Sequence, residues 1–212
     1  MTTAPSALRR GPIPGHVAWV ASEASGAPAA PGRSAHALEG LVRSALEIGV
    51  VLLTVQEPSG GLALRQRATE LARRGIAVAE VSAASSSGSG GASGPRDLVE
   101  VGQPSLRVLL ARAGSGRQEL VAAVRGLAAR KVAPKKVTEA TIGGALALPD
   151  VDLLVLTGGE RRVPDLLVWQ VAYSEIVVLP DPWPEVTEAQ FHAAVGEYQR
   201  RSRRYGGLVA SR

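Results

Sequence analysis

Cysteine is absent from the 212 residues, which excludes disulfides, thiolate nucleophiles and cysteine-ligated metals and fits a reducing, cytoplasmic setting. Aromatic side chains are scarce. Three Trp, three Tyr and one Phe leave few platforms on which bases could stack, so a pI near 10.2 does not by itself mark a nucleic-acid binder. Long apolar runs are missing as well. The longest, from Ile48 to Val55, is far shorter than the ~20 residues of a membrane-spanning helix, and the N-terminus carries no signal-peptide apolar core. The expectation is a protein that is not integral to a membrane.

What is present describes a folded domain. A hydrophobic fraction of 45% with 20% charged residues supports one sizeable core. The net charge of +5 is uneven: residues 197–212 hold five Arg and one Glu, leaving 19 basic against 18 acidic groups in the rest. Read over the whole chain, the basicity belongs to the C-terminal tail. Residues 1–11, rich in Pro and carrying Arg9-Arg10, read as a flexible lead, 12–208 as a single domain, and 209–212 as a tail.

Within the domain, apolar strands and amphipathic helices alternate. His16 to Ala21, Val50 to Val55, Ile76 to Val81, Leu106 to Ala111, Val151 to Leu156 and Ile176 to Leu179 read as strands. Between them Leu38, Leu41, Val42, Ala45 and Ile48 recur at helical spacing and stop at Gly49. Ser59 can cap a helix carrying Leu64, Ala68 and Leu71, and Leu120, Val124, Leu127 and Ala128 form one face of another. The last helix opens at Thr187, with Gln190 at capping-box spacing and Phe191, Ala194, Val195 and Tyr198 on one side. Residues 83–104, around Ser85 to Gly94, have the composition of a disordered Ser/Gly-rich loop. Continuous apolar strands joined by helical crossovers predict an α/β fold, with a mainly parallel sheet of about six strands covered by helices on both faces. Ligands of such sheets sit at the carboxyl ends of the strands.

One such end is rich in chemistry. The strand ending at Leu156 runs into Thr157-Gly158-Gly159-Glu160-Arg161-Arg162. Two glycines let backbone N–H groups approach an anion, and the charges that follow suit a diphosphate with a metal counter-ion.

Together with Leu166-Leu167, Trp169-Gln170, Ala172-Tyr173, Glu175, Trp183-Pro184 and Arg203-Arg204-Tyr205-Gly206-Gly207, this segment resembles the C-terminal signature of the cis-prenyltransferases, the undecaprenyl diphosphate synthase family. Upstream, His16-Val-Ala is similar to the family's first strand, His36-Ala-Leu-Glu-Gly40 to its His-x-x-x-Gly helix start, and Gly116-Arg117 to the end of its Asn-Tyr-Gly-Gly-Arg turn. The resemblance covers roughly residues 12 to 208. It implies transfer of isopentenyl diphosphate onto an allylic diphosphate, with Mg²⁺ assisting departure of the diphosphate.

Four departures bear on that chemistry. The family's first strand ends in Met-Asp-Gly-Asn-Gly-Arg-Trp, and its essential Asp falls on Ser22; Glu23, a weak substitute, is one residue away and so points to the opposite face of a strand. Leu156 stands where the family has the Arg that grips the diphosphate, a contact that needs a guanidinium. Pro164 replaces a diphosphate-binding Ser. Ala113-Gly-Ser and Gln56-Glu-Pro replace further site loops. What is kept is what family dimers use between subunits: Trp169, Tyr173 and Glu175 at the interface, and Arg204-Tyr-Gly206, which in the family reaches the partner's site.

The resemblance therefore implies a non-catalytic subunit that activates a catalytic cis-prenyltransferase homologue, in a heterodimer or heterotetramer, as in the Nogo-B receptor type. Arg204, Gly206, Arg162, Gly158 and Gly159 would touch diphosphate, and Glu175 and Glu160 would stand near Mg²⁺ shared through the partner's site, with no intrinsic cofactor. An atypical short-chain prenyltransferase using Glu23, and an anion-binding regulatory module, remain as alternatives. The residues also have plainer readings: His16 and His36 as structural, Arg200 and Arg201 as a solvated helix end, and Trp169, Tyr173 and Trp183 as core or interface anchors. The expected location is cytoplasmic, with peripheral membrane contact through the tail arginines and no nucleic acid.

Overall fold

The computed structural model describes residues 11–21, 31–56, 77–81, 106–111, 116–163, 165–183 and 185–201. Six strands, β1 (His16–Val20), β2 (Leu52–Gln56), β3 (Ala77–Val81), β4 (Arg107–Ala111), β5 (Leu153–Leu156) and β6 (Glu175–Val178), form one sheet in the order β3-β4-β2-β1-β5-β6. Every pairing is parallel, which sharpens the mainly parallel sheet expected. The helices are α1 (Pro31–Ile48), α2 (Gly116–Ala129), the short α3 (Glu139–Gly143) and α4 (Glu188–Arg200). The Ser59 helix, the Ser/Gly-rich loop and the terminal lead and tail lie outside the described residues.

Alternation along β1 divides the core. Val17 and Trp19 join α1 and α4 on one face, where Leu38, Leu41, Val42, Ala45 and Ile48 meet Phe191, Ala194, Val195 and Tyr198. Ala18 and Val20 join Leu52, Leu109, Leu154, Leu156, Leu148 and Leu167 on the other. Both faces are dry, so the strands read as unbroken apolar runs. Trp19 stacks on Phe191 with ring centroids 5.6 Å apart, fixing α4 against the central strand. The capping box at Thr187 and Gln190 forms as expected.

The amino end of β1 is held by side chains that come from far along the chain. Asp152 Oδ2 accepts hydrogen bonds from the N–H groups of Gly15 (2.8 Å) and His16 (3.1 Å). The buried His16 ring lies 2.9 Å from the Asp150 carbonyl through Nδ1 and 2.9 Å from Thr54 Oγ1 through Nε2. A carbonyl can only accept, so Nδ1 carries the proton and Nε2 accepts from the Thr54 hydroxyl. The structural reading of His16 is therefore right: the ring joins β1 to β2 and to the start of β5.

Two readings are corrected. Helix α1 begins at Pro31, so His36 stands in its second turn, exposed, and not at a helix start; Pro is suited to the first helical position, while the apolar pattern becomes visible only from Leu38. Helix α2 buries Gly116, Ala123 and Leu127, whereas Val124 is 53% exposed and Ala128 also faces solvent. Residues 120–124 are all apolar, so the pattern offers two faces, and packing against the turn Asp165–Leu167 selects one.

Helices α1 and α2 end alike. In α1 the N–H groups of Gly49 and Val50 bond to Leu46 and Ala45, with Gly49 at φ 91°. In α2 those of Lys131 and Val132 bond to Ala128 and Leu127, with Lys131 at φ 55°. The second cap places a side chain in the left-handed region that favours glycine.

Two outcomes are expected. Lys131→Gly stabilises the fold by about 1 kcal/mol by relieving that conformation, measured as a rise in the urea midpoint. Burial lowers the His16 pKa from its ordinary 6.5, so below that value the unfolded chain takes up a proton that the folded chain resists. Stability present above pH 6.5 is then lost as pH falls. The midpoint should drop between pH 7.5 and 5.5, and by less in His16→Gln; equal drops in the two proteins would remove His16 as the cause.

Candidate functional site

The carboxyl ends of β1 and β5 meet at Thr157. Its N–H and hydroxyl both donate to the Val20 carbonyl, at 3.2 and 3.0 Å, and the residue is fully buried. Gly158 and Gly159 follow at φ 69° each, a conformation open to glycine. Their N–H groups are spent within the protein: Gly158 donates to the Asp181 carbonyl (2.8 Å) and Gly159 to that of Leu179 (2.9 Å). This corrects the basis on which the glycines were assigned to an anion. They let the turn close back onto the segment after β6, and their donors are not free.

The next residues bind an anion of their own. Glu160 Oε1 accepts from the backbone N–H groups of Arg161 (2.9 Å) and Arg162 (2.8 Å) and from Arg162 Nε (3.1 Å), while Oε2 accepts from Arg162 Nη2 (3.0 Å). A carboxylate thus occupies a nest of two N–H groups and a guanidinium fork, an arrangement of donors suited to a phosphate oxygen. The Arg162 guanidinium, with its backbone N–H, holds the Glu160 carboxyl down to about 2. Glu160 and Arg162 are together, as the sequence places them, but each satisfies the other. Leu156, just before the turn, is 1% exposed within the second apolar cluster, so this position presents no charge.

Glu175 is elsewhere. It opens β6 and pairs with Leu153, at the amino end of the sheet. It is separated from Glu160 by at least the length of β5, roughly 13 Å at about 3.3 Å per residue. Its carboxylate is held by Arg201 Nη1 at 3.1 Å, which also donates to the Ile176 carbonyl at 2.8 Å. The solvated helix end expected for Arg200 and Arg201 holds for exposed Arg200, paired with Glu197. Arg201 instead ties the end of α4 to the start of β6. Nothing in the local pattern announces this contact, which spans 26 residues.

Mg²⁺ can be tested against these groups. Glu160 and Glu175 lie at opposite ends of β5 and β6, each engaged by an arginine, and no group of three or more His, Asp or Glu suited to a metal occurs among the described residues. The described residues do not fit an Mg²⁺ site within one chain. Ser22, Glu23, Pro164, Arg204 and Gly206 lie outside the described residues.

The aromatic residues divide. Trp183 is buried in the core, Trp169 is half-buried with its indole nitrogen near Gly143, and Tyr173 is 56% exposed. Gln170, buried beside them, donates to Glu119 Oε2, whose other oxygen accepts from the Ala147 N–H. Glu119 thereby joins α2 to this segment, a role the sequence did not signal.

The family model "Putative undecaprenyl diphosphate synthase" matches residues 61–206, which contain the Thr157 turn, Trp169 to Glu175 and Arg204. The chain belongs to the undecaprenyl diphosphate synthase family. It is 32% identical over 238 aligned positions to isoprenyl transferase 2 of Bradyrhizobium diazoefficiens, covering 95% of this chain and 93% of that protein. A trans,polycis-polyprenyl diphosphate synthase of Thermobifida fusca, specific for (2Z,6E)-farnesyl diphosphate, is 41% identical over 99 residues, 43% of this chain and 35% of that protein. In fold, the chain is similar to lavandulyl diphosphate synthase from Lavandula x intermedia, solved with dimethylallyl diphosphate. The TM-score is 0.73 at 21% identity, covering 92% of this chain and 98% of that one. The α/β fold expected from the sequence is thus that of the family.

The pairing in the nest has a measurable consequence. Arg162→Ala should return the Glu160 carboxyl from about 2 toward the ordinary glutamate range, followed by carbon-detected NMR of the side-chain carboxyl; an unmoved titration would show that other groups hold it.

Proposed function

We propose that this chain is the non-catalytic, partner-activating subunit of a heteromeric cis-prenyltransferase that makes polyprenyl diphosphates from isopentenyl diphosphate and an allylic diphosphate. The observation that carries this reading is Leu156: at the family's arginine position an apolar side chain is packed into the core, and it offers no guanidinium to a diphosphate. Three features add support. Ser22 replaces the essential Asp, the Thr157 turn uses its N–H groups internally, and Arg162 is committed to Glu160. The partner would supply the carboxylate and the Mg²⁺, and this chain would lend it Arg204 and Gly206.

Exposed Tyr173 and Val168, 56% and 41% accessible, favour an interface along the segment from Trp169 to Glu175, as the family resemblance implies.

A second reading has its own support. The similarity to isoprenyl transferase 2 extends over 93% of that protein, and an active enzyme using Glu23 would account for it. Incorporation of labelled isopentenyl diphosphate separates the two. The subunit reading expects none from the isolated chain with several allylic primers, and turnover when an intact homologue carrying the Asp-Gly-Asn-Gly-Arg loop is added. It also expects Arg204→Ala to reduce turnover of the complex at least tenfold and Tyr173→Glu to weaken its assembly. Incorporation by the chain alone, abolished in Glu23→Gln, would establish the second reading instead.

A further inference from the structure

The overall charge balance conceals a second basic region. Arg125, Arg130, Lys131, Lys135 and Lys136 stand within twelve residues, and no acidic residue occurs between Glu119 and Glu139. All five side chains are exposed, and none forms an ion pair with another described residue. A surface this basic is ordinarily laced with carboxylates; among the described residues these five like charges have none paired with them.

Backbone hydrogen bonds and a cap shape the segment that displays them. The cap of α2 bonds Lys131 and Val132 back to Ala128 and Leu127. A 3₁₀ turn then spans Pro134–Lys136, and Thr138 and Thr141 close a capping box at α3. Within this frame Lys131 sits at φ 55°, where the equivalent cap of α1 has Gly49. A cation is thus kept at a position where glycine would be more stable. Val121, Val124 and Val137, from the same stretch of chain, are 49%, 53% and 40% exposed, so this stretch displays apolar side chains as well as cations.

The combination selects a partner. Clustered cations are attracted to a negatively charged surface, and exposed valines from the same stretch fit the boundary between headgroups and acyl chains. Single-stranded nucleic acid requires stacking platforms as well as charge, and the chain has no aromatic residue from position 20 to 168. We propose that the junction of α2 and α3 is a docking surface for an anionic lipid bilayer, with Arg130, Lys131, Lys135 and Lys136 at the headgroup phosphates and Val121, Val124 and Val137 at the interface. This contact lies within the domain, apart from the C-terminal tail where membrane contact is expected from the sequence. It is independent of the subunit reading, because it involves neither prenyl substrate nor catalytic partner.

Co-sedimentation of the full chain with vesicles tests it. The wild type should bind vesicles of equal parts phosphatidylglycerol and phosphatidylcholine at 50 mM NaCl, release them at 500 mM, and ignore vesicles of phosphatidylcholine alone. At about 1 kcal/mol per cation near the surface, Arg130→Gln/Lys135→Gln/Lys136→Gln should lower partitioning roughly a hundredfold with an unchanged circular dichroism spectrum. Arg203→Gln/Arg204→Gln should stay much closer to the wild type. Lys131→Gly should bind about fivefold more weakly while unfolding at higher urea, a combination that loss of structure cannot produce. The proposal is overturned if the triple variant binds like the wild type, if only the tail variant loses binding, or if a 20-base-pair DNA duplex strips the wild type from the vesicles at equal charge.

Discussion

The structure depends on how β1 is held. This strand is the third from one edge of the sheet and is buried on both faces, so its neighbours β2 and β5 must find the right register without help from solvent-facing polarity. The polar groups that fix it are gathered at its amino end. Asp152 receives two N–H groups there, and His16, neutral and dry, joins the Asp150 carbonyl to the Thr54 hydroxyl. A buried ring with both nitrogens satisfied sets one geometry and resists protonation, which would turn its acceptor into a second donor. From that fixed end β1 delivers Val20 to Thr157 at the other, and the turn that carries the family's signature is built on that contact.

At the carboxyl end the recurring theme is polar groups already satisfied from within. The glycine N–H groups close the turn, Glu160 fills its own nest of donors, and Arg162 completes the pair. At the other end of β6, Glu175 is held by Arg201. A motif that looks in sequence like two free carboxylates has, in three dimensions, each carboxylate held by an arginine. Among the described residues, a run of cations without ion pairs lies elsewhere, in the junction after α2. The family motif persists with its described polar groups paired to one another, and the exposed cations after α2 belong to a segment that no motif marks.

Much of the fold was legible because it rests on local periodicity. Apolar runs predicted all six strands to within a residue or two, and the Thr187 box and the Phe191 to Tyr198 face followed from helical spacing. The misreadings have physical causes. Pro31 opened α1 ahead of any apolar pattern, and α2 is apolar over so much of its surface that only its neighbours could choose the buried side. Of the site, the identities of Glu160, Arg162 and Glu175 were legible but not their partners. Summing charge over nearly two hundred residues also hid five cations that form no ion pair among the described residues.

The sequence by itself determined the fold class, the parallel order implied by crossovers, the family and the replacements at Ser22, Leu156 and Pro164, because these are properties of residue type and spacing. Which donors are spent, and which charges pair among the described residues, depends on the folded chain. The contacts responsible join residues 26 apart at Arg201 and Glu175 and more than a hundred apart at His16 and Asp150. A hydrogen bond is set by distance and direction in space, and spacing along the chain carries no record of either once it exceeds a turn of helix or a strand pair.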